Sequence, residues 1–222
     1  MVLTDKDITG LRAESLLSIE PFAPESLTPV GYDLRVGRQC YVFNSLRVQE
    51  GLEVGSRITV PPRTTALVWT LEDVRMPVNG WYSGIVQSKV STVSQGLSPV
   101  STTVDWDWGG SLVIATANLT NGPITLRVGD PFCTLMILKN QSSTTTPSGH
   151  DTNRDDILIR EMKKWQSRLR LRRAVWHALP IAIAVGGATA GWALFGPSEG
   201  FSAVAASAAC VAVIVHTIIS PR

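Results

Sequence analysis

TALVWTL at 65–71, GIVQSKVSTV at 84–93, SLVIATANLT at 111–120, ITLRV at 124–128 and FCTLMIL at 132–138 decide the fold. Each is a short run of β-branched and apolar residues, the composition that packs on a pleated, half-buried surface. Turn-forming clusters separate the runs: PVNG at 77–80, DWGG at 107–110, TNGP at 120–123 and VGD at 128–130. Glycine supplies the positive φ such turns need, and Asn or Asp bonds to its own backbone there. Strands at this spacing, with no long helical period between residues 30 and 140, predict a mainly β domain, a barrel or jelly roll.

Outward from this body the pattern changes twice. At the N-terminus Thr4 is placed to cap a short helix, with Asp7 three positions on in a capping-box arrangement. Ile8, Leu11, Leu16 and Leu17 give that helix a rough apolar face. On the C-terminal side, QSSTTTPSGH at 141–150 is small and polar and reads as a linker. Asp151, Thr152 or Asn153 then caps a basic stalk helix over 151–173, whose Leu158, Met162, Trp165 and Leu169 fall on one stripe.

Two apolar segments follow, 174–195 and 201–219, joined by GPSEG. About 20 helical residues cross a bilayer core, so the two segments predict a transmembrane hairpin. Of 38 charged residues only Glu199 and Arg222 lie beyond residue 173. Lys163, Lys164, Arg168, Arg170, Arg172 and Arg173 precede the first span, while the loop carries only Glu199. Positive-inside logic then predicts a two-span protein of the inner or plasma membrane with both ends in the cytoplasm. Gly187 and Gly191, with Ala203 and Ser207, form small-xxx-small patterns that let helices approach closely.

Composition excludes several classes. Charged residues make up 17% of the 222, and the deficit is local to the tail, which argues against a uniformly apolar globule. Residues 1–150 carry 11 Lys/Arg against 13 Asp/Glu, the wrong balance for a duplex nucleic-acid binder. Cys40, Cys133 and Cys210 are far apart, with no C-x-x-C and no histidine cluster to suggest zinc. The N-terminus lacks a basic-then-apolar signal region, so the body is expected in the cytosol.

The residues that carry chemistry lie in four motifs: Gly31-Tyr32-Asp33-Leu34-Arg35-Val36-Gly37; Gln87-Ser88-Lys89-Val90-Ser91 with Gln95-Gly96-Leu97; Ser101 through Gly110; and Gly129-Asp130-Pro131-Phe132-Cys133-Thr134-Leu135. In this order they resemble the motifs of the trimeric dUTPase and dCTP deaminase superfamily, over about residues 1–140. The resemblance implies a dUTPase-like barrel, a homotrimer with pockets between subunits, a pyrimidine deoxynucleotide as ligand, and Mg²⁺ accompanying a triphosphate with Asp33 nearby. Ser88, Lys89 and Ser91 would then face the phosphates, whose anionic oxygens need several donors at once. Val104, Asp105 and Trp108 would face the nucleoside, and in a hydrolase Asp105 would position the attacking water. Trp106 and Trp108 read equally as core aromatics on one face of a strand.

Departures from the family pattern bear on activity. dCTP deaminases carry a Glu on the strand after the glycine turn, where it moves protons as water attacks the cytosine ring. Laid on Gly110 to Asn118, that position is Ala115. Losing a general acid/base typically removes about 10²- to 10⁴-fold of rate. The phosphate-motif Arg is also absent, and Lys89 can replace its charge but not its planar fork. Thr134 stands where dUTPases have a Gln. The sequence therefore predicts a membrane-anchored nucleotide-binding sensor or effector with impaired catalysis. A membrane-tethered dUTP diphosphatase or dCTP deaminase is the alternative, and a scaffold with a vestigial pocket is the third reading.

Overall fold

The structure, a computed structural model, describes residues 1–43, 48–148, 154–196 and 199–219. In chain order its elements are α1 (Asp5–Ala13), β1 (Ser18–Glu20), β2 (Leu27–Thr28), β3 (Gly31–Val42), β4 (Val48–Gln49), β5 (Arg57–Val60), β6 (Thr65–Arg75) and β7 (Tyr82–Ser88). There follow α2 (Val90–Ser94), β8 (Leu97–Pro99), β9 (Thr102–Val104), β10 (Gly109–Asn118), β11 (Ile124–Arg127), β12 (Pro131–Lys139), α3 (Arg154–Phe195) and α4 (Glu199–Ile219). Each expected run contains a strand, but the one expected over 84–93 is strand only to Ser88, and its second half forms the short helix α2.

The main sheet runs β8-β10-β6-β3-β12-β7-β9, all antiparallel, while β11 and β5 pair separately. Its two edge strands, β8 and β9, are joined only by Val100 and Ser101. The sheet therefore curls until its edges meet, as the expected barrel requires. Side chains close the seam: Ser88 Oγ donates to the Pro99 carbonyl, and Ser101 Oγ to the Val86 carbonyl at 2.8 Å. Alternating residues fill the inside, among them Tyr32, Leu34 and Val36 from β3, Ile114 from β10, and Leu135 and Ile137 from β12. This period of two is what a sheet with one buried face dictates.

The capping box at Thr4 and Asp7 forms, with Thr4 N–H and Oγ1 both donating to Asp7 Oδ2 at 2.9 and 2.8 Å. Those bonds hold the Asp7 carboxyl below its ordinary pKa. Ile8 and Leu11 are buried as expected, but the helix stops at Ala13, before Leu16 and Leu17. Ser15 turns the chain with φ 58°, so Leu17 enters the core from an extended segment and Leu16 stays exposed.

Residues 141–148 are not a free linker. Thr144 N–H donates to the Gly80 carbonyl at 3.0 Å, Trp106 Nε1 donates to the Thr146 carbonyl at 2.9 Å, and Ser148 N–H to Asp107 Oδ2 at 3.0 Å. Gly80 is required here: its φ is +73°, and a Cβ would lie 2.1 Å from the Thr144 carbonyl oxygen. The segment is a strap stitched to its own domain.

A second unit begins at Arg160. The expected stalk and first apolar segment run as one helix, α3, through Pro180, and α4 follows. The cap residues 151–153 and the side chains of Leu158, Met162, Trp165 and Leu169 lie outside the described residues. The close helix approach expected of Gly187 is present, since a Cβ there would lie 2.2 Å from Ala208 Cβ. Among the described residues no helix is long and apolar enough to cross a membrane, so the spans expected at 174–195 and 201–219 are not borne out there. In those segments the described side chains are 178–194 and 202–213.

One buried charge pair locks β3 to β6. Glu72 is fully buried and accepts from Arg35 N–H at 2.9 Å and from Arg35 Nε at 2.5 Å, while Arg35 Nη2 donates to the Pro21 carbonyl at 2.8 Å. Burial works against the guanidinium charge, but the Glu72 hydrogen bond and charge outweigh it and raise the Arg35 pKa. Removing one partner of such a pair leaves the other uncompensated, at a cost of about 3–5 kcal/mol. Glu72→Ala should therefore lower the stability of the barrel by about 3 kcal/mol in chemical denaturation, with Glu72→Gln losing less. A loss under about 0.5 kcal/mol for the alanine variant would show that the pair does not hold the strands.

Candidate nucleotide site

The phosphate end of the expected site is assembled by strand register. On β12, Thr134 lies opposite Asp33 of β3 on one side and Gln87 of β7 on the other, with Cys133 opposite Ser88. Residues 56 and 101 positions apart in sequence are thereby brought together. Lys89 Nζ donates to Asp33 Oδ2, and Thr134 Oγ1 donates to Asp33 Oδ1 at 2.6 Å. Both oxygens of Asp33 are thus engaged, and the side chains of Lys89 and Asp33 keep 23% and 14% of their surface exposed. A partly buried pair of this kind is oriented but still reachable by solvent.

The two serines behave differently from each other. Ser88 spends its only proton on the Pro99 carbonyl at the barrel seam, so it has none to donate to a phosphate oxygen. Ser91 is exposed on α2, two residues beyond Lys89. Beside this end, Cys133 is buried, and burial together with the charges of Glu72 and Asp33 pushes its thiol pKa up. Burial also pushes Cys40 up, to about 12. Neither is a nucleophile, because the thiolate is the reactive form.

The nucleoside end lies elsewhere on the same ladder. Val104 is buried opposite Gly84, so the loop 105–108 continues from that point of β7. The Trp108 N–H donates to the Asp105 carbonyl at 3.1 Å, closing a tight turn. Trp108 packs against the core and its Nε1 donates to the Gly110 carbonyl at 3.0 Å, whereas Trp106 turns to the strap. The reading of both tryptophans as core aromatics holds for Trp108 only. Ser88 lies four residues from Gly84 along β7, about 13 Å at the rise of an extended strand. Within one chain, the Lys89 and Asp105 ends therefore stand apart.

Ala115 sits midway along β10 between the buried Ile114 and Thr116, hence on the outward face. Its carbonyl accepts from Val100 N–H at 2.7 Å, which places it beside the seam residues Pro99 and Ser101. A methyl there holds no proton. Sequence reasoning missed the Lys89–Asp33–Thr134 contact and the strap. Opposite charges in two separate motifs were the available signal for the first. The paired Asn79-Gly80 and Asn140 were a signal for the second, since Asn140 Nδ2 also donates to the Gly80 carbonyl at 3.2 Å.

As to a divalent ion, Lys89 Nζ on Asp33 Oδ2 sets a positive charge against direct metal contact there, while each Asp33 oxygen accepts one hydrogen bond and keeps a lone pair. Among the described residues, no three His, Cys, Asp or Glu gather in a metal-holding group.

The chain is 33% identical over 147 residues to the dCTP deaminase of Pyrococcus horikoshii, covering 66% of this chain and 91% of that protein. It is 34% identical over 129 residues to that of Pyrococcus furiosus, covering 58% and 80%. The structure resembles the 2′-deoxycytidine 5′-triphosphate deaminase of Agrobacterium tumefaciens with a TM-score of 0.53 at 17% identity, over 63% of this chain and about half, 48%, of that one. That likeness concerns the fold. The family model described as dCTP deaminase-like matches residues 2–140, and with a barrel curled and closed as described above, the chain belongs to the dCTP deaminase-like family.

Proposed function

We propose that this chain binds a pyrimidine deoxynucleotide and does not deaminate it. The observation that carries this reading is Ala115. At the position where deaminases of the family place their proton-moving Glu, the outward face of β10 offers a methyl group, while Lys89 remains oriented by Asp33 and Thr134. A ligand meeting both Lys89 and the 105–108 loop has to bridge two ends of a ladder about 13 Å apart. A homotrimer, as the family resemblance implies, resolves this by letting one subunit supply Lys89 and another the loop. The ligand then acts as a signal: binding one state of the assembly tenfold better shifts its population by about 1.4 kcal/mol.

The strap gives such a signal a physical exit. It bonds to Trp106 and Asp107 of the proposed nucleoside loop, and α3 follows it in sequence. The two apolar segments beyond would tether the assembly to a membrane with both termini in the cytoplasm. The support for this tether is the sequence: near-absence of charge over 174–219 and six basic residues before it. Full-length protein should sediment with membranes and need detergent for extraction; full recovery in the high-speed supernatant would remove the tether.

A second reading, a dUTP diphosphatase, draws on Asp105, which is present at the position expected to orient water. It requires diphosphate release from dUTP that Asp105→Asn abolishes.

The binding proposal is tested by thermal denaturation of the full-length chain against dCTP, dUTP, dUMP and their purine counterparts. A ligand at 100 times its Kd adds about 2.7 kcal/mol of stability. The expected result is a raised Tm with pyrimidine deoxynucleotides. Unchanged melting with every nucleotide would leave only a non-binding scaffold.

A further inference from the structure

The charges gathered around the phosphate end limit how many phosphoryl groups it can hold. We propose that the ligand of this chain is a pyrimidine deoxynucleoside monophosphate, one phosphoryl group meeting Lys89 and no second or third adding affinity; this rests on the nucleotide-binding reading above.

Strand register sets out the groups. Gln87 of β7, Thr134 of β12 and Asp33 of β3 stand opposite one another across three strands. Their neighbours Val86, Leu135 and Leu34 are buried in the core, so this row faces outward. Lys89 Nζ donates to Asp33 Oδ2, and Thr134 Oγ1 donates to Asp33 Oδ1 at 2.6 Å. Two of the three ammonium N–H groups then remain for a ligand. Gln87 is exposed in the same row and brings a neutral amide, and Ser91 presents a hydroxyl on α2. A phosphate monoester has three acceptor oxygens and a charge of about −1.5 to −2 near pH 7. One ammonium, one amide and one hydroxyl offer a donor for each of those oxygens.

Further phosphoryl groups would find no partner. Each adds at least one negative charge, and a charge brought into a partly buried site without a partner is costly. Of the other cations on β3, β7 and β12, Arg35 commits Nε to Glu72 and Nη2 to the Pro21 carbonyl. Arg38 lies five residues from Asp33 along β3, and Lys139 five residues from Thr134 along β12. That is about 16 Å at the rise of an extended strand. The loop 105–108, which a second subunit would bring, carries Asp105 and Asp107 and no cation. Residues 141–148 carry no charge at all. Lys89 is thus the one cation that these described groups set against the carboxylates of Asp33, Asp105 and Asp107. Mg²⁺ carried on the phosphates of a triphosphate lowers its charge but leaves the complex anionic, so the order of preference holds.

The test titrates the full-length chain calorimetrically with deoxycytidine, dCMP and dCTP, and with the uracil series, in buffer holding Mg²⁺ in excess over nucleotide. The wild type should bind dCMP at least about fivefold more tightly than deoxycytidine, and dCTP no more tightly than dCMP within about threefold. Lys89→Ala should bring dCMP to within about threefold of deoxycytidine, and Lys89→Arg should restore part of the gain. A wild-type affinity for dCTP more than about threefold tighter than for dCMP would overturn the inference and leave nucleotide binding standing. A gain from deoxycytidine to dCMP smaller than about fivefold would also overturn it, as would a Lys89→Ala variant that keeps the whole gain. Binding of none of these compounds would overturn both readings. The wild-type series is decisive whether or not the lysine variants fold.

Discussion

The double register of β12 is the constraint on which the site depends. Thr134 faces Asp33 across one ladder and Gln87 across the other, and Lys89 leaves β7 just beyond. A one-residue slip would turn Thr134 to the opposite face and carry it away from Asp33, because side chains alternate with a period of two. Buried Leu135 and Ile137 on the same strand oppose such a slip, and Glu72 with Arg35 pins β3 to β6 on the far side. The Lys89–Asp33–Thr134 contact is therefore a by-product of core packing: the apolar pattern sets the register, and the register sets the ion pair.

That same packing explains what the sequence made legible. Alternating apolar residues announced the strands, and four motifs in order announced the barrel, because both are local patterns. Thr4 and Asp7 could be read as a capping box for the same reason. Long-range partners could not be read. Asp33 and Lys89 are 56 residues apart, and nothing in their own neighbourhoods says that β12 will bring them together. Ser88 looked like a phosphate donor by its type and motif. Its proton goes to Pro99 because β8 and β9 meet at the seam, a fact of closure rather than of spacing. Residues 141–148 looked like a linker by composition, yet small polar residues are also those that let a strap lie flat against Gly80 and Trp106.

Family membership and the proposed chemistry part company at β10. The domain has the family fold and an oriented cation, while Ala115, where the family pattern leads one to expect a Glu, holds no proton; function belongs to the site rather than to the fold. The strap bonds to Trp106 and Asp107 in the loop that the proposed nucleoside would meet. Small residues at Gly187 and Ala208 permit close helix contact within the helical unit.

Recovery of the nucleotide itself tests the central claim most directly. Full-length protein in molar excess over dCTP is held at equilibrium for hours, the protein is denatured, and the released nucleotide is weighed by mass spectrometry. The account predicts cytosine intact, with the deoxynucleotide recovered unchanged at the stoichiometry bound. Conversion of the bound fraction to the uracil form, with ammonia in equal amount, would contradict it and show that some other group moves the proton that Ala115 cannot.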